Sequence, residues 1–498
     1  VEPSGRPSKV RTYYRVFAGP ENPEYAIQNN DITNLTRGLV ERVYRVESGG
    51  NLVCPPQPAP GHFANTLAQV RRQILRVMPT VQPVSYDEFV AMYQGRRRTI
   101  YEEATTRLLR RGLVKSDAYL STFVKCEKVN LTKKADPAPR VIQPRQPTYN
   151  VALGVFLKPM EHLLYRAIAD LWGGPTVMKG YNAADTAKHL RNMWTSFREP
   201  VALLLDATRF DQHVSVPALE WEHSVYLACV GASDRPLLRR LLRMQIKNKG
   251  FANLADGRIK YQVDGHRMSG DMNTATGNCL LMSCMVKAYM DSLNVRAKLA
   301  NNGDDCALFI ERKDAALVSN GLSQWFLQMG FNMKMGPLID EFERVEFCQT
   351  YPLDVGDGWV MVRDPRLCIA KDLVSSLPME QGTSRYAWAT AVGECGLSLS
   401  GGVPILQEFY SSLIRAGLGV RHKQNMLHES GFFRLAYNMS RSYSPIHWRA
   451  RYSFWRSFGV SPSDQVAIEE YYRCLAIDLT GTLGKAYDPT FPSYLING

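Results

Sequence analysis

The sequence predicts an α+β protein, and three observations carry that prediction. Val201-Ala-Leu-Leu-Leu-Asp206 is a short, continuous apolar run, the pattern of a central strand buried on both faces. Leu299 to Ile310 is a pair of apolar runs joined by Asn302-Gly303-Asp304-Asp305, the pattern of a β-hairpin with a tight turn. Between such strands, apolar residues recur at three and four, as in Leu67, Val70, Ile74, Leu75 and Met78, which is helical spacing. The 498 residues are 45% hydrophobic and 21% charged, so the chain can bury a large core and is neither disordered nor fibrous.

In chain order, the first 60 residues are turn-rich and close in the Pro-rich connector Val53 to Gly61. A helical region follows, with Arg71, Arg72 and Arg76 between its apolar positions, and then Arg96-Arg97-Arg98 and Arg110-Arg111. Residues 121–145 read as strand, loop, strand, because Pro137 and Pro139 rule out helix. A helix is expected from Asn182 to Phe197, closed by Pro200, and another from Cys279 to about Asp291. Gly330 closes a further helix ahead of Phe331-Asn-Met-Lys334-Met. Strands and helices alternate to about residue 365. Beyond it the chain reads as mostly helical, with Tyr443, Trp448, Tyr452, Phe454, Trp455 and Phe458 among Arg441, Arg449, Arg451 and Arg456.

The formal net charge is +13 and the pI is near 9.2. Residues 51–150 hold 16 Lys and Arg against 7 Asp and Glu, so that stretch carries +9 of the total. Such a balance favours a polyanionic partner, nucleic acid or an acidic membrane surface, although a solvated basic face would read the same. The 10 cysteines are scattered without a C-x-x-C pair, which argues against a disulfide framework or structural zinc and for reduced thiols in the cytosol. No apolar run reaches the ~18 residues of a membrane span, and no signal peptide or P-loop is recognisable.

Two carboxylate sites stand out. Asp304 and Asp305 sit at a turn directly before Cys306-Ala-Leu-Phe-Ile, where like charges against a buried strand repel and call for a cation. Asp206 closes a buried strand, where an unpaired carboxylate is costly. A fold that joined them would make an all-oxygen site for hard divalent ions such as Mg²⁺. Two ions about 3.5–4 Å apart activate a 3′-hydroxyl and stabilise a leaving pyrophosphate. A surface turn at Asn302–Asp305 and a helix N-cap at Asp206 are the competing readings. A third segment, Met268-Ser269-Gly270-Asp271-Met272-Asn273-Thr274-Ala-Thr-Gly-Asn278, sets Thr274 and Asn278 four apart, one helical turn. Small polar side chains at that spacing could grip a ribose, or simply cap a helix.

In order, Asp-x4-Asp, Ser-Gly-x3-Thr-x3-Asn and Gly-Asp-Asp resemble the catalytic motifs of viral RNA-dependent RNA polymerases. The phrases from Asp206 to Ser215, Ser269 to Asn278 and Ala135 to Arg145 resemble the tombusvirus family of plant positive-strand RNA viruses. The resemblance is strong over about residues 120–365. It implies a right hand with fingers at 1–172 (including an N-terminal extension), palm at 173–217, a fingers insertion at 218–262, palm again at 263–365, and a mostly helical thumb at 366–498. The palm would be built on an antiparallel sheet. It implies RNA-templated RNA synthesis by metal-dependent nucleotidyl transfer, replicating a viral genome, with initiation that needs no primer. A reverse transcriptase-like enzyme and a non-enzymatic RNA-binding protein are the alternatives.

Site roles follow from the same resemblance. Asp206 and Asp304 would bind two Mg²⁺ ions, for which Mn²⁺ can substitute, with Asp305 a weaker or indirect contact and the Ala207 carbonyl a backbone ligand. Asp211 and Asn278 would sense the ribose 2′-hydroxyl, supported by Thr274 and Ser269. Lys125, Lys128 and Arg140 would cradle the incoming triphosphate, whereas Lys133 and Lys134 could equally be solvated. Lys334 resembles the lysine that protonates departing pyrophosphate, although a surface lysine reads alike. Val345-Glu-Phe-Cys348-Gln349 resembles the motif supporting the growing 3′ end, and Gly270, Arg145 and Cys348 are expected RNA contacts. The implied partners are template and product RNA, NTPs, a viral auxiliary replication protein and host factors. The implied location is replication complexes in the host cytoplasm, with no membrane anchor in this chain.

Overall fold

The computed structural model describes residues 1–18, 23–377, 379, 382–421, 436–487 and 489. The apolar run at Val201 becomes strand β1 (Pro200–Ala207), and the runs around Asn-Gly-Asp-Asp become the hairpin of β2 (Ala297–Asn302) and β3 (Asp305–Glu311). With β4 (Met333–Ile339) they form one antiparallel sheet in the order β2-β3-β1-β4. β1 is an inner strand packed on both faces, which is why it lacks polar alternation. Val201, Leu203, Leu205 and Ala207 enter one core, and Ala202 enters a second together with Ala307 and Phe309.

Helices α1 (Pro147–Trp172) and α2 (Ala183–Thr195) contribute to opposite cores. Asn182 caps α2 by accepting the Asp185 N–H at 2.9 Å. Helices α3 (Val216–Ala228), α4 (Thr274–Leu293) and α5 (Ala315–Gln328) join α1 in the first core. The second core also holds the hairpin β5 (Thr350–Asp354) and β6 (Trp359–Arg363), with helices α6 (Ser384–Ser400), α7 (Leu406–Ala416), α8 (Trp448–Phe458) and α9 (Pro462–Cys474).

Three expectations change. α4 starts at Thr274 rather than Cys279, running through Gly277, a residue that disfavours helix by about 1 kcal/mol. The first 60 residues hold more regular structure than their composition suggests. Glu2–Pro3 and Leu120–Ser121 flank the hairpin Lys247–Leu254/Gly257–Asp264 in one sheet. Thr12–Arg15 lies between Val374–Ser375 and Thr482–Lys485, and Tyr25–Ala26 pairs with Val129–Asn130. Strands of two to four residues are too short to show periodicity. Finally, the aromatic group at 443–458 divides. Phe454 and Phe458 are core, while Trp448 (70%) and Tyr452 (50%) are exposed. All ten cysteines are free thiols. Phe123–Val124 pairs with Val141–Ile142, as the strand, loop, strand pattern requires.

Candidate active site

Strand register gathers the acidic residues. Asp206 of β1 lies opposite Asp305 of β3 on one side and opposite Lys334 of β4 on the other. Residues directly opposite in antiparallel strands project to the same face, so these three stand abreast at one end of the sheet. Asp304 occupies the two-residue turn that joins the paired Asn302 and Asp305. Gly303, at φ +89°, takes the left-handed conformation this turn needs. Buried Asn301 fastens it, donating to the Gly303 carbonyl at 2.7 Å and accepting the Gly303 N–H at 3.2 Å. Ala207 is buried beside Asp206, in register with Met333.

Asp305 is exposed, yet neighbouring atoms partly desolvate its carboxylate and Asp304, Asp206 and Glu346 repel its charge. Together these push its pKa up to about 6, against the Cys348 hydrogen bond that lowers it. Among the described residues, no three His, Cys, Asp or Glu side chains are already converged on a metal position. That does not disfavour Mg²⁺, which keeps its waters and is held by one or two carboxylates together with substrate phosphates rather than by an all-protein cage. Mutually repelling carboxylates beside an arginine-lined cavity of about 320 Å³ are a donor set that fits such an ion. Cys348 (φ +52°) and Gln349 (φ +61°) form the turn between paired Phe347 and Thr350, and the Cys348 sulfur accepts from Asn302 Nδ2 at 3.0 Å. The thiol therefore braces the acidic turn.

Asp211 and Asn278, 67 residues apart, meet. Asn278 Nδ2 donates to Asp211 Oδ1 at 2.8 Å. Burial raises the Asp211 pKa, with Asn278 and Arg267 opposing the shift. Thr274 stands at the start of α4 and spends its hydroxyl on the Met268 carbonyl at 2.7 Å. Ser269 accepts the Gln143 N–H at 3.3 Å. Gly270 lies so near Pro144 that a Cβ would come within 2.5 Å of the proline Cα, so this glycine is needed for backbone contact.

A cavity of about 320 Å³ adjoins these groups, lined by Arg42, Arg140, Arg209, Asp211, Ser269 and Asp304 among others. Arg140 also reaches Glu127 at 3.3 Å, which Lys125 shares at 3.1 Å. Arg42 is pushed down to about 10 by burial and by the repulsion of Arg209 and Arg140, a cost that a bound anion relieves. Arg209 has a left-handed backbone (φ 51°) and donates to the Glu41 carbonyl. Sequence reasoning missed Arg42 and Arg209, although Arg209 lies inside the Asp206–Asp211 motif. A larger cavity of about 500 Å³, which includes Arg385, Arg415 and Arg473 in its lining, touches none of these residues.

Two expected contacts are corrected. Lys128 does not line the cavity: its Nζ donates to the Lys371 carbonyl at 2.9 Å, and burial pushes its pKa down to about 8. Arg145 is not at an RNA-accessible surface: its side chain is 0% exposed and paired with Asp271 at 2.5 Å. The resemblance assigns Lys128 to the triphosphate and Arg145 to RNA, whereas each side chain is spent on a protein partner far away in sequence. Lys133 and Lys134 are exposed. Lys334 is exposed beside Asp206.

A family model described as viral RNA dependent RNA polymerase matches residues 1–480. The RNA-directed RNA polymerase of Turnip crinkle virus is 46% identical over 478 residues, which cover 95% of this chain and 61% of that protein. Those of Maize chlorotic mottle virus (44% over 485 residues, 97% and 49%) and Carnation mottle virus (44% over 481 residues, 96% and 62%) are similar to it as well. The chain thus spans about half to three-fifths of the length of these relatives.

Proposed function

The chain belongs to the family of viral RNA-dependent RNA polymerases, and we propose on that premise that it joins nucleoside triphosphates into RNA on an RNA template. The observation that carries this reading is the alignment of Asp206 with Asp305, with Asp304 among the residues lining an arginine-rich cavity. Arg42, Arg140 and Arg209 hold the triphosphate, guanidinium forks matching phosphate oxygens. Asp206 and Asp304 would hold two Mg²⁺ ions, or Mn²⁺ in their place, with Asp305 and the Ala207 carbonyl in support. Such ions would supply positive charge against 3′-hydroxyl attack and pyrophosphate departure. Lys334, abreast of Asp206, delivers a proton to the departing group.

Asp211 and Asn278 read the sugar. A hydroxyl that both donates and accepts distinguishes RNA from DNA precursors, and this pair favours ribonucleotides over the deoxyribonucleotides of a reverse transcriptase. A non-enzymatic RNA-binding protein has no use for acids that repel phosphate. The sheet bearing Asp206 and Asp304 serves as palm, residues 1–172 and 218–262 as fingers, and 366–498 as thumb. Exposed Trp448 and Tyr452 offer stacking surfaces on which a first nucleotide starts without a primer. Among the described residues no helix is long and apolar enough to cross a membrane.

The test incubates the chain with a short RNA, four NTPs and Mg²⁺ or Mn²⁺ and looks for complementary product. Asp304→Asn is expected to abolish synthesis, because transition-state stabilisation worth several kcal/mol is lost, while RNA affinity stays nearly intact. Wild-type synthesis by that variant would sink the metal assignment.

A further inference from the structure

Behind the Asp211–Asn278 pair lies an ion pair with no access to solvent. Arg267 and Glu222 have side chains 0% exposed, and both Arg267 Nη atoms donate to the Glu222 carboxylate. The same carboxylate accepts the Tyr226 hydroxyl at 2.6 Å and Asn273 Nδ2 at 2.8 Å. Replacing a buried ion pair by apolar residues is often neutral or stabilising, so stability alone gives little reason for it. What sets this pair apart is where the Nε donor goes. Arg267 Nε donates to Asn278 Oδ1 at 2.8 Å, and the Arg267 backbone N–H donates to the Asp211 carbonyl at 2.8 Å. One residue therefore holds both members of the sugar-facing pair.

Arginine has donors only. Asn278 must turn its carbonyl oxygen toward Arg267 and its NH₂ toward Asp211. The opposite amide orientation would set an N–H against a guanidinium and an oxygen against a carboxylate. With the amide fixed this way, Asn278 keeps one free N–H, and Asp211 keeps an oxygen not used by Asn278. That is a donor beside an acceptor, the complement of a hydroxyl. Gly277 fits the same scheme, since a Cβ there would overlap Glu222 Oε1 and Arg267 Nη2. The glycine inside α4 is thereby explained by the ion pair passing over it.

We propose that the Glu222–Arg267 pair is a positioning element for sugar selection: it locks the Asn278 amide in the one orientation that can read a 2′-hydroxyl. This rests on the reading of Asp211 and Asn278 as the sugar sensor.

The experiment measures kcat/KM for single incorporation of an NTP and its matching dNTP on an RNA primer–template. Arg267→Lys keeps the charge but cannot span Glu222 and Asn278. It is expected to lower the NTP/dNTP ratio roughly tenfold or more, as loss of a charge-assisted hydrogen bond does, and to lower dNTP use much less. Asn278→Ala should lower the ratio comparably, and the double variant should show no further fall, because the two act as one unit. Equal loss of NTP and dNTP use in Arg267→Lys, or additive effects in the double variant, overturns the inference while leaving the sugar sensor standing. An unchanged ratio in Asn278→Ala overturns the sensor and the inference with it. If Arg267→Lys melts below the assay temperature, Glu222→Gln takes its place with the same expected and overturning results.

Discussion

Replacing Arg145 with Met separates a structural role from an RNA contact. The guanidinium donates from Nε to Asp271 Oδ1 at 2.5 Å, from Nη1 to the carbonyls of Ala118 (2.8 Å) and Met244 (3.3 Å), and from Nη2 to Asn248 Oδ1 at 2.7 Å. Methionine fills similar length with no donor. The variant leaves the Asp271 carboxylate, only 3% exposed, without its cation. Breaking a buried pair from one side costs about 3–5 kcal/mol, a large fraction of the ~5–15 kcal/mol that holds a native protein together. For a chain this long that corresponds to a urea midpoint lower by about 1 M, read by tryptophan fluorescence. The double variant Arg145→Met/Asp271→Leu should recover more than half of the loss, because the stranded charge leaves as well. An unchanged midpoint together with weakened RNA binding by the folded protein would refute the reasoning and return Arg145 to the RNA surface.

Asp305→Asn should change stability with pH. The folded-state pKa of about 6 lies above the ordinary 3.8, so the folded protein holds its proton more tightly than the unfolded chain, and stability falls as pH rises through that window. In metal-free buffer the Asn variant is therefore expected to melt above the parent at pH 7–8, with the gap closing near pH 4; a gap independent of pH would contradict the crowding of charge at this turn. Arg140→Ala should raise the KM for NTPs with a smaller effect on template affinity, since it removes a charge-assisted contact to the triphosphate. Unchanged NTP dependence in steady-state incorporation would exclude Arg140 from the cavity's work.

How much of this was legible beforehand depended on how local the signal was. Asp206, Asp304 and Asp305 sit at a strand end and a turn, and both are written in adjacent residues: an apolar run that stops, and Asn-Gly-Asp-Asp between two such runs. Their juxtaposition required only that β1 and β3 pair, which the Asp206–Asp305 register fulfils. Asp211 and Asn278 were named from motif order, and the 2.8 Å hydrogen bond joins them. What could not be read was the identity of distant partners. The motif resemblance assigns Lys128 to the triphosphate and Arg145 to RNA; Asp271 and the Lys371 carbonyl, which hold Arg145 and Lys128, lie 126 and 243 residues away. Arg42 lies in a region of turn-forming composition, and only the fold brings it beside Arg140. Glu222 sits within a helix whose sequence gives no amphipathic cue, so nothing local marked it as the counter-charge of Arg267.

The strand Thr12–Arg15 has a consequence for how the molecule is made. One of its neighbours, Thr482–Lys485, is drawn from the far end of the chain, and Tyr487 beyond it donates its N–H to the Ile27 carbonyl. Contacts between such remote segments are the slowest to form, and domains assemble from the first-synthesised end onward. During translation Thr12–Arg15 must wait, with one edge unpaired, until Thr482–Lys485 has left the ribosome. A product that stops between Ser375 and Thr482 already carries Asp206, Asp304 and the arginine cavity but lacks the strand that completes this sheet. Closure of the sheet thus lags behind assembly of the site, and removal of either strand strips the other of a partner.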